Sequence, residues 1–173
     1  MKRTTVFVTY AWEQTGEKIK KYASEVKDFV NILNSNGFDA TFDLAELNNT
    51  DNWNDIMING LKRDKIIVLL SEEYKRKADN EEKEKGSGVR IERNSLINKN
   101  NEDPKSVILA KLPSLQNIKK KDVLPECFKG KNVIDLSSND FHDGFNLLYS
   151  RLTDIPIAET DPPKGDVPPI NKI

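Results

Sequence analysis

Five short apolar runs, separated by helical or charged stretches, constrain the fold of this 173-residue chain more than any other feature. The third run, KIIVLLS at 65–71, is continuously apolar between its ends, which is typical of a strand covered on both faces of a parallel sheet. The other runs are rich in β-branched and aromatic residues, and they predict strands at 4–10, 38–44, 106–112 and 132–137.

Apolar residues at helical spacing lie between these runs, and they predict helices at about 17–35, 53–64, 89–98 and 141–153. Asn36-Gly37 signals the end of the first helix, and Asp140 can cap the start of the last. Residues 72–88 are a charged connection, which we expect to be a solvated loop or helix end, and residues 113–131 are basic and irregular. The alternation predicts an α/β fold, a flavodoxin-like three-layer sandwich with a five-stranded parallel sheet in the order 2-1-3-4-5.

Composition excludes several classes of function. Lys and Arg number 27 against 28 Asp and Glu, and this balance gives no indication of nucleic acid or an anionic membrane as a partner. Cys127 is the only cysteine, so no internal disulfide or cysteine-based metal site can form, and we expect no metal and a reducing, cytoplasmic compartment. No apolar run approaches the roughly 20 residues that a transmembrane helix needs.

The chain divides by composition into a domain at 1–155 and a proline-rich flexible tail or linker at 156–173. If the chain is a fragment of a longer protein, we expect the tail to connect this domain to a sensor or an oligomerising domain.

Glu92 is the candidate catalytic residue. It lies in GSGVRIERNSLIN at 86–98, where a Gly-Ser-Gly loop opens into a predicted helix with Glu92 in its first turn. An acid there is commonly a surface residue, whose negative charge is stabilised by the positive end of the helix dipole. In open α/β sheets, however, ligands bind outside the carboxyl ends of the strands, and this loop should lie there. A carboxylate at that edge could act on a bound substrate.

Five sequence blocks together resemble one family. They are VFVTYAW at 6–12, FDATFDLAEL at 38–47, NWNDIMINGL at 52–61, KIIVLLSEEYKRKAD at 65–79 and GVRIE at 88–92. In this order they are similar to a bacterial TIR domain of the SEFIR type, and the resemblance covers about residues 4–153. It implies the same five-stranded fold. It also implies one of two functions: NAD⁺ cleavage that releases nicotinamide, often in anti-phage defence, or homotypic binding without catalysis.

For the enzyme, the resemblance implies that Glu92 is the catalytic glutamate and that NAD⁺ is the substrate, with no further cofactor. Cleavage of the nicotinamide–ribose bond passes through an oxocarbenium-like transition state, which one carboxylate can stabilise. Many enzymes of this family carry a Trp-Cys pair before the glutamate, whereas this chain has Val89-Arg90-Ile91-Glu92. The scaffold alternative therefore stays open.

The residues that follow the predicted strands could form the walls of an NAD⁺ site. The resemblance implies binding roles for Tyr10, Ala11, Trp12, Asp43, Ser71 and Tyr74. An aromatic ring after the first strand could stack on nicotinamide or adenine, or it could pack the loop against the sheet. Asp43 could bond the ribose or brace its own loop.

Residues 44–53 correspond to the segment that the family calls the BB loop, through which TIR domains stack. The resemblance implies assembly roles for Leu44, Glu46, Leu47 and Trp53, although Trp53 could instead pack the second helix against the sheet. We therefore expect an NAD⁺ glycohydrolase that is active on self-association and makes ADP-ribose or a cyclic isomer. The alternative is a signalling scaffold that binds other TIR or SEFIR domains.

Overall fold

An all-parallel sheet of five strands organises the fold. The computed structural model describes residues 2–11, 16–42, 58–79, 88–136 and 141–157. The strands are β1 (Thr5–Tyr10), β2 (Asp39–Phe42), β3 (Lys65–Leu69), β4 (Val107–Lys111) and β5 (Val133–Asp135), in the spatial order β2-β1-β3-β4-β5. Every pairing between neighbours is parallel. The predicted fold class and strand order are confirmed.

Helices connect the strands. They are α1 (Gly16–Ser35), α2 (Glu72–Asp79), α3 (Gly88–Glu102), α4 (Lys120–Val123) and α5 (Phe141–Thr153), with a further helical turn at 58–61. Short 3₁₀ turns lie at Pro104–Ser106, Pro113–Leu115 and Glu126–Phe128. No helix among the described residues is long and apolar enough to cross a membrane.

Two hydrophobic clusters cover the two faces of the sheet. Successive residues of a strand point to opposite faces. Accordingly, Val6 and Val8 join a cluster with residues of α1 and α5, while Phe7 joins a second cluster with Leu96 of α3. All five residues of β3 are buried, so the expectation of a strand covered on both faces is confirmed. The first helix also ends as predicted, because Gly37 adopts a φ of 92° directly after it.

The charged segment 72–88 differs from the prediction of a solvated loop or helix end. Its first part is α2, whose Tyr74 and Ala78 are buried on one face, four residues apart. Ser71 caps this helix, because its Oγ accepts a hydrogen bond from the Tyr74 backbone N–H at 3.0 Å. The charged side chains, on which the loop prediction rested, lie away from this buried face. Among them, Lys75 Nζ pairs with Asp79 Oδ2 at 2.6 Å. Residues 80–87 lie outside the described part of the chain.

Several predicted boundaries were also wrong. Helix α3 continues to Glu102 rather than ending near residue 98, and it begins at Gly88, so Glu92 is its fifth residue and its first turn holds no acid. The segment 113–131 is not irregular throughout, because it contains α4 and two of the 3₁₀ turns. Helical residues 58–61 are the described part of the helix predicted at 53–64.

Candidate functional site

The carboxyl ends of β1 and β3 form the candidate site. The order β2-β1-β3-β4-β5 means that the chain leaves β1 toward one edge of the sheet and later crosses back to place β3 on the other side of β1. In such sheets this reversal opens a crevice outside the carboxyl ends of the two central strands. Tyr10 and Leu69, the last residues of these strands, are partners in the ladder, so the segments that follow them leave the sheet side by side.

Helix α3 brings Glu92 toward this crevice. At its far end, Lys99 Nζ donates hydrogen bonds to the backbone oxygens of Leu61 at 2.7 Å and Arg63 at 2.9 Å, just before β3 begins. The carboxyl end of α3 therefore lies at the amino edge of the sheet. Glu92 precedes Lys99 by seven residues, or about 10 Å along the helix axis. Because β3 itself spans roughly 15 Å, the backbone of Glu92 lies near the level of the strands' carboxyl ends.

Contacts of the residues that follow Glu92 hold α3 in place. Leu96 is fully buried in the same cluster as Phe7 and Tyr74. The guanidinium of Arg93 hydrogen-bonds the thiol of Cys127, in the 3₁₀ turn that follows α4. Burial raises the pKa of the Cys127 thiol, and the bond from Arg93 opposes part of that rise. A carboxylate at position 92 is thus carried on a packed helix rather than on a loop.

Four of the six residues predicted to bind NAD⁺ are described at this edge, and all four are buried. Tyr10 is 4% exposed, and its ring packs edge-on against Tyr22 of α1, with centroids 5.9 Å apart. Ala11 and Tyr74 belong to the cluster on the other face of the sheet, and Ser71 caps α2. These four residues are part of the packed interior at the ends of β1 and β3. Their predicted binding roles stay predictions.

The other predicted site residues, Trp12, Asp43, Leu44, Glu46, Leu47 and Trp53, lie outside the described part of the chain. For Glu92, the structure describes the helix position only.

Sequence reasoning missed Lys99 and Arg93 as residues that fix α3. A lysine or arginine on a polar helix is indistinguishable in sequence from a solvated surface residue, so no signal pointed to them. The cap of α2 did have a signal, because Ser71 is followed directly by two glutamates, as at many helix starts.

The fold defines a flavodoxin-like α/β domain whose topological switch point lies between β1 and β3. The chain belongs to the TIR domain family, whose model matches residues 6–149. It is also similar in fold to the crystal structure of a prokaryotic SEFIR domain, with a TM-score of 0.64 and 22% sequence identity over 86% of this chain and 98% of that chain. No curated protein matches the chain in sequence. The resemblance found from the five sequence blocks is confirmed.

Proposed function

We propose that this TIR domain is an NAD⁺ glycohydrolase in which Glu92 is the catalytic carboxylate. The observation that carries the proposal is the position of Glu92 on α3, near the level at which β1 and β3 end, in a chain of the TIR family. Ligands of open α/β sheets bind at this level, and a carboxylate there can reach a bound sugar.

The chemistry needs few protein groups. The bond between ribose C1′ and the nicotinamide nitrogen breaks, and its electron pair neutralises the cationic ring, so nicotinamide leaves without a general acid. A water oxygen then bonds to C1′ and releases a proton, which gives ADP-ribose. The Glu92 carboxylate stabilises the positive charge that develops on the ribose. If a ring nitrogen of the adenine attacks C1′ instead of water, the product is a cyclic isomer.

Self-association belongs to this proposal. Residues 44–53, with Leu44, Glu46, Leu47 and Trp53, contact a second copy and complete its site, so that activity rises with assembly. The setting we propose is a cytoplasmic effector of bacterial anti-phage immunity, joined through the proline-rich tail to a sensor or oligomerising domain.

A second candidate function is a scaffold that binds other TIR or SEFIR domains and has no catalytic activity. The burial of Tyr10, Ala11, Ser71 and Tyr74 favours it, because side chains in the core offer little surface to a dinucleotide. Under this alternative Leu47→Asp disrupts assembly, and NAD⁺ stays intact at every protein concentration.

The deciding experiment measures nicotinamide release from NAD⁺ at high protein concentration, by chromatography with identification of the products. We expect Glu92→Gln and Glu92→Ala to lower the rate by about a hundredfold or more, because the group that stabilises the transition-state charge is gone. Glu102→Gln is the matched control, since Glu102 is an exposed acid at the other end of the same helix.

Sedimentation and circular dichroism show whether each variant keeps its assembly and fold. Full activity in Glu92→Gln refutes the catalytic role. If the wild type releases no nicotinamide, even when the domain is tethered at high local concentration, the scaffold function is supported and the enzyme function is rejected.

A further inference from the structure

A groove of about 800 Å³ opens at the edge of the sheet opposite the candidate site. It begins at the amino ends of β4 and β5. Lys105 lies in the 3₁₀ turn just before β4, and Asn132 directly precedes β5. Ile108 and Ile134 of these strands line its floor, and Leu147 of α5 lines one wall. The volume is within the range of about 300 to 1,000 Å³ that small-molecule sites occupy.

Four cationic side chains line this groove: Lys105, Lys120, Lys131 and Arg151. Asp154 is the carboxylate among the described lining residues, and its Oδ1 accepts a hydrogen bond from Lys65 Nζ at 2.8 Å, which compensates its charge. The ion pairs found within the described part of the chain join other residues and include none of the four cations. The four cations therefore have no ion-pair partner among the described side chains, and the groove carries a net positive charge.

Lys131 and Arg151 are two of these cations, and the charge of Arg151 acts on Lys131. Lys131 Nζ is anchored by neutral groups, because it donates to Asn100 Oδ1 at 2.6 Å and to the backbone oxygen of Pro104 at 3.0 Å. Burial lowers the pKa of Lys131, and the nearby charge of Arg151 lowers it further. The carboxyl end of α5 adds about half a negative charge, which the four cations outweigh. The fold thus places two cations that repel each other in the lining of one groove, an arrangement that a bound anion would stabilise.

We propose that this groove binds a phosphate-bearing small molecule of nucleotide size. The phosphates lie between Lys131 and Arg151 and within reach of Lys105 and Lys120, because lysine and arginine are the side chains that recognise phosphate oxygens. The flat or apolar part of the ligand lies on the apolar floor. Ile155, which also lines the groove and is 41% exposed, gives the apolar part of the ligand a further contact. This site is separate from the crevice near Glu92, since the two lie at opposite edges of the sheet.

The test measures binding of inorganic pyrophosphate and of ADP to the full chain by isothermal titration calorimetry at low ionic strength. We expect Arg151→Gln and Lys120→Gln each to weaken pyrophosphate binding by about tenfold, through loss of a charge-assisted bond. The matched control is Lys121→Gln, because Lys121 is exposed, adjacent to Lys120 and not among the described lining residues, and we expect a change within about twofold.

Two further variants separate the parts of the ligand and the two edges of the sheet. Ile155→Ser should weaken ADP but leave pyrophosphate unchanged, because only the apolar part of the ligand touches that wall. Glu92→Ala should leave pyrophosphate binding unchanged. The proposal is overturned by the absence of saturable pyrophosphate binding at millimolar concentration, by an equal loss in Lys121→Gln, or by a loss in Glu92→Ala.

Discussion

Replacing Gly60 with alanine tests how closely the helical turn at 58–61 packs on β1. Gly60 is buried, and a Cβ built on it lies 2.7 Å from three carbons of the Phe7 ring. Phe7 is fully buried in a cluster that includes Ile66 and Leu96, so its ring cannot swing into solvent. Gly60 has a helical backbone, and alanine adopts that conformation without strain. The effect of the substitution is therefore steric.

The size of the effect follows from this distance. Carbon atoms in protein cores pack at about 3.5 to 4.0 Å, so the ring or the helical turn must move by about 1 Å. Such overpacking costs about 1 to 3 kcal/mol. Helix propensity returns at most about 1 kcal/mol, since alanine is the better helix former. We expect the free energy of unfolding to fall by about 1 to 2 kcal/mol, which for a domain of this size lowers Tm by about 2 to 8 °C.

Urea unfolding followed by far-UV circular dichroism measures the change. Asn59→Ala is the matched control, because Asn59 is exposed in the same helical turn and reports helix propensity alone. Combining Gly60→Ala with Phe7→Leu should recover part of the loss, with a favourable coupling of about 1 kcal/mol. Two results would refute the reasoning: Gly60→Ala as stable as the Asn59 variant, or single and double variants that add within about 0.5 kcal/mol.

Two further predictions concern titrating groups. Thr5 donates to Asp64 Oδ2 from its backbone N–H at 2.9 Å and from its hydroxyl at 3.0 Å, which holds the pKa of Asp64 below its ordinary value. The stability from this group is present above the ordinary pKa of about 4 and is lost as pH falls through the lower folded pKa. In Asp64→Asn, the free energy of unfolding should therefore depend less on pH in the acid range. Equal acid sensitivity in the variant contradicts this. Burial raises the pKa of Cys127, so its alkylation by iodoacetamide should need a higher pH than that of a free cysteine; a half-maximal rate at or below about pH 8.5 contradicts it.

Local patterns made most of the fold predictable. The continuous apolar run of β3 predicts a strand covered on both faces, and all its residues are buried. The Asn36-Gly37 pair predicts the end of α1, because glycine adopts the positive φ found there without a steric penalty. The same patterns hid α2, since a helix with one buried face of two residues, Tyr74 and Ala78, looks like a charged loop.

The candidate site was predictable only in outline. Glu92 follows the third strand in sequence, and chain connectivity alone brings its helix to the carboxyl edge of the sheet. The packing that fixes α3 is invisible in sequence, because the half-buried Lys99 donates to the backbone oxygens of Leu61 and Arg63, which lie 38 and 36 positions earlier in the chain. Tyr10 and Tyr74 likewise looked available to a ligand, and only the packed structure shows that both rings are in the core.

The sequence by itself determined the five strands, their parallel order and the segment that carries the candidate carboxylate. These depend on the spacing of apolar residues, which is visible in short stretches of sequence, and on the right-handedness of crossovers, which is general for parallel sheets. Only the tertiary structure decided which distant residues meet: Gly60 against the Phe7 ring, and Lys131 and Arg151 in the lining of one groove. Such contacts depend on strand register and helix packing, which join residues that no local pattern relates.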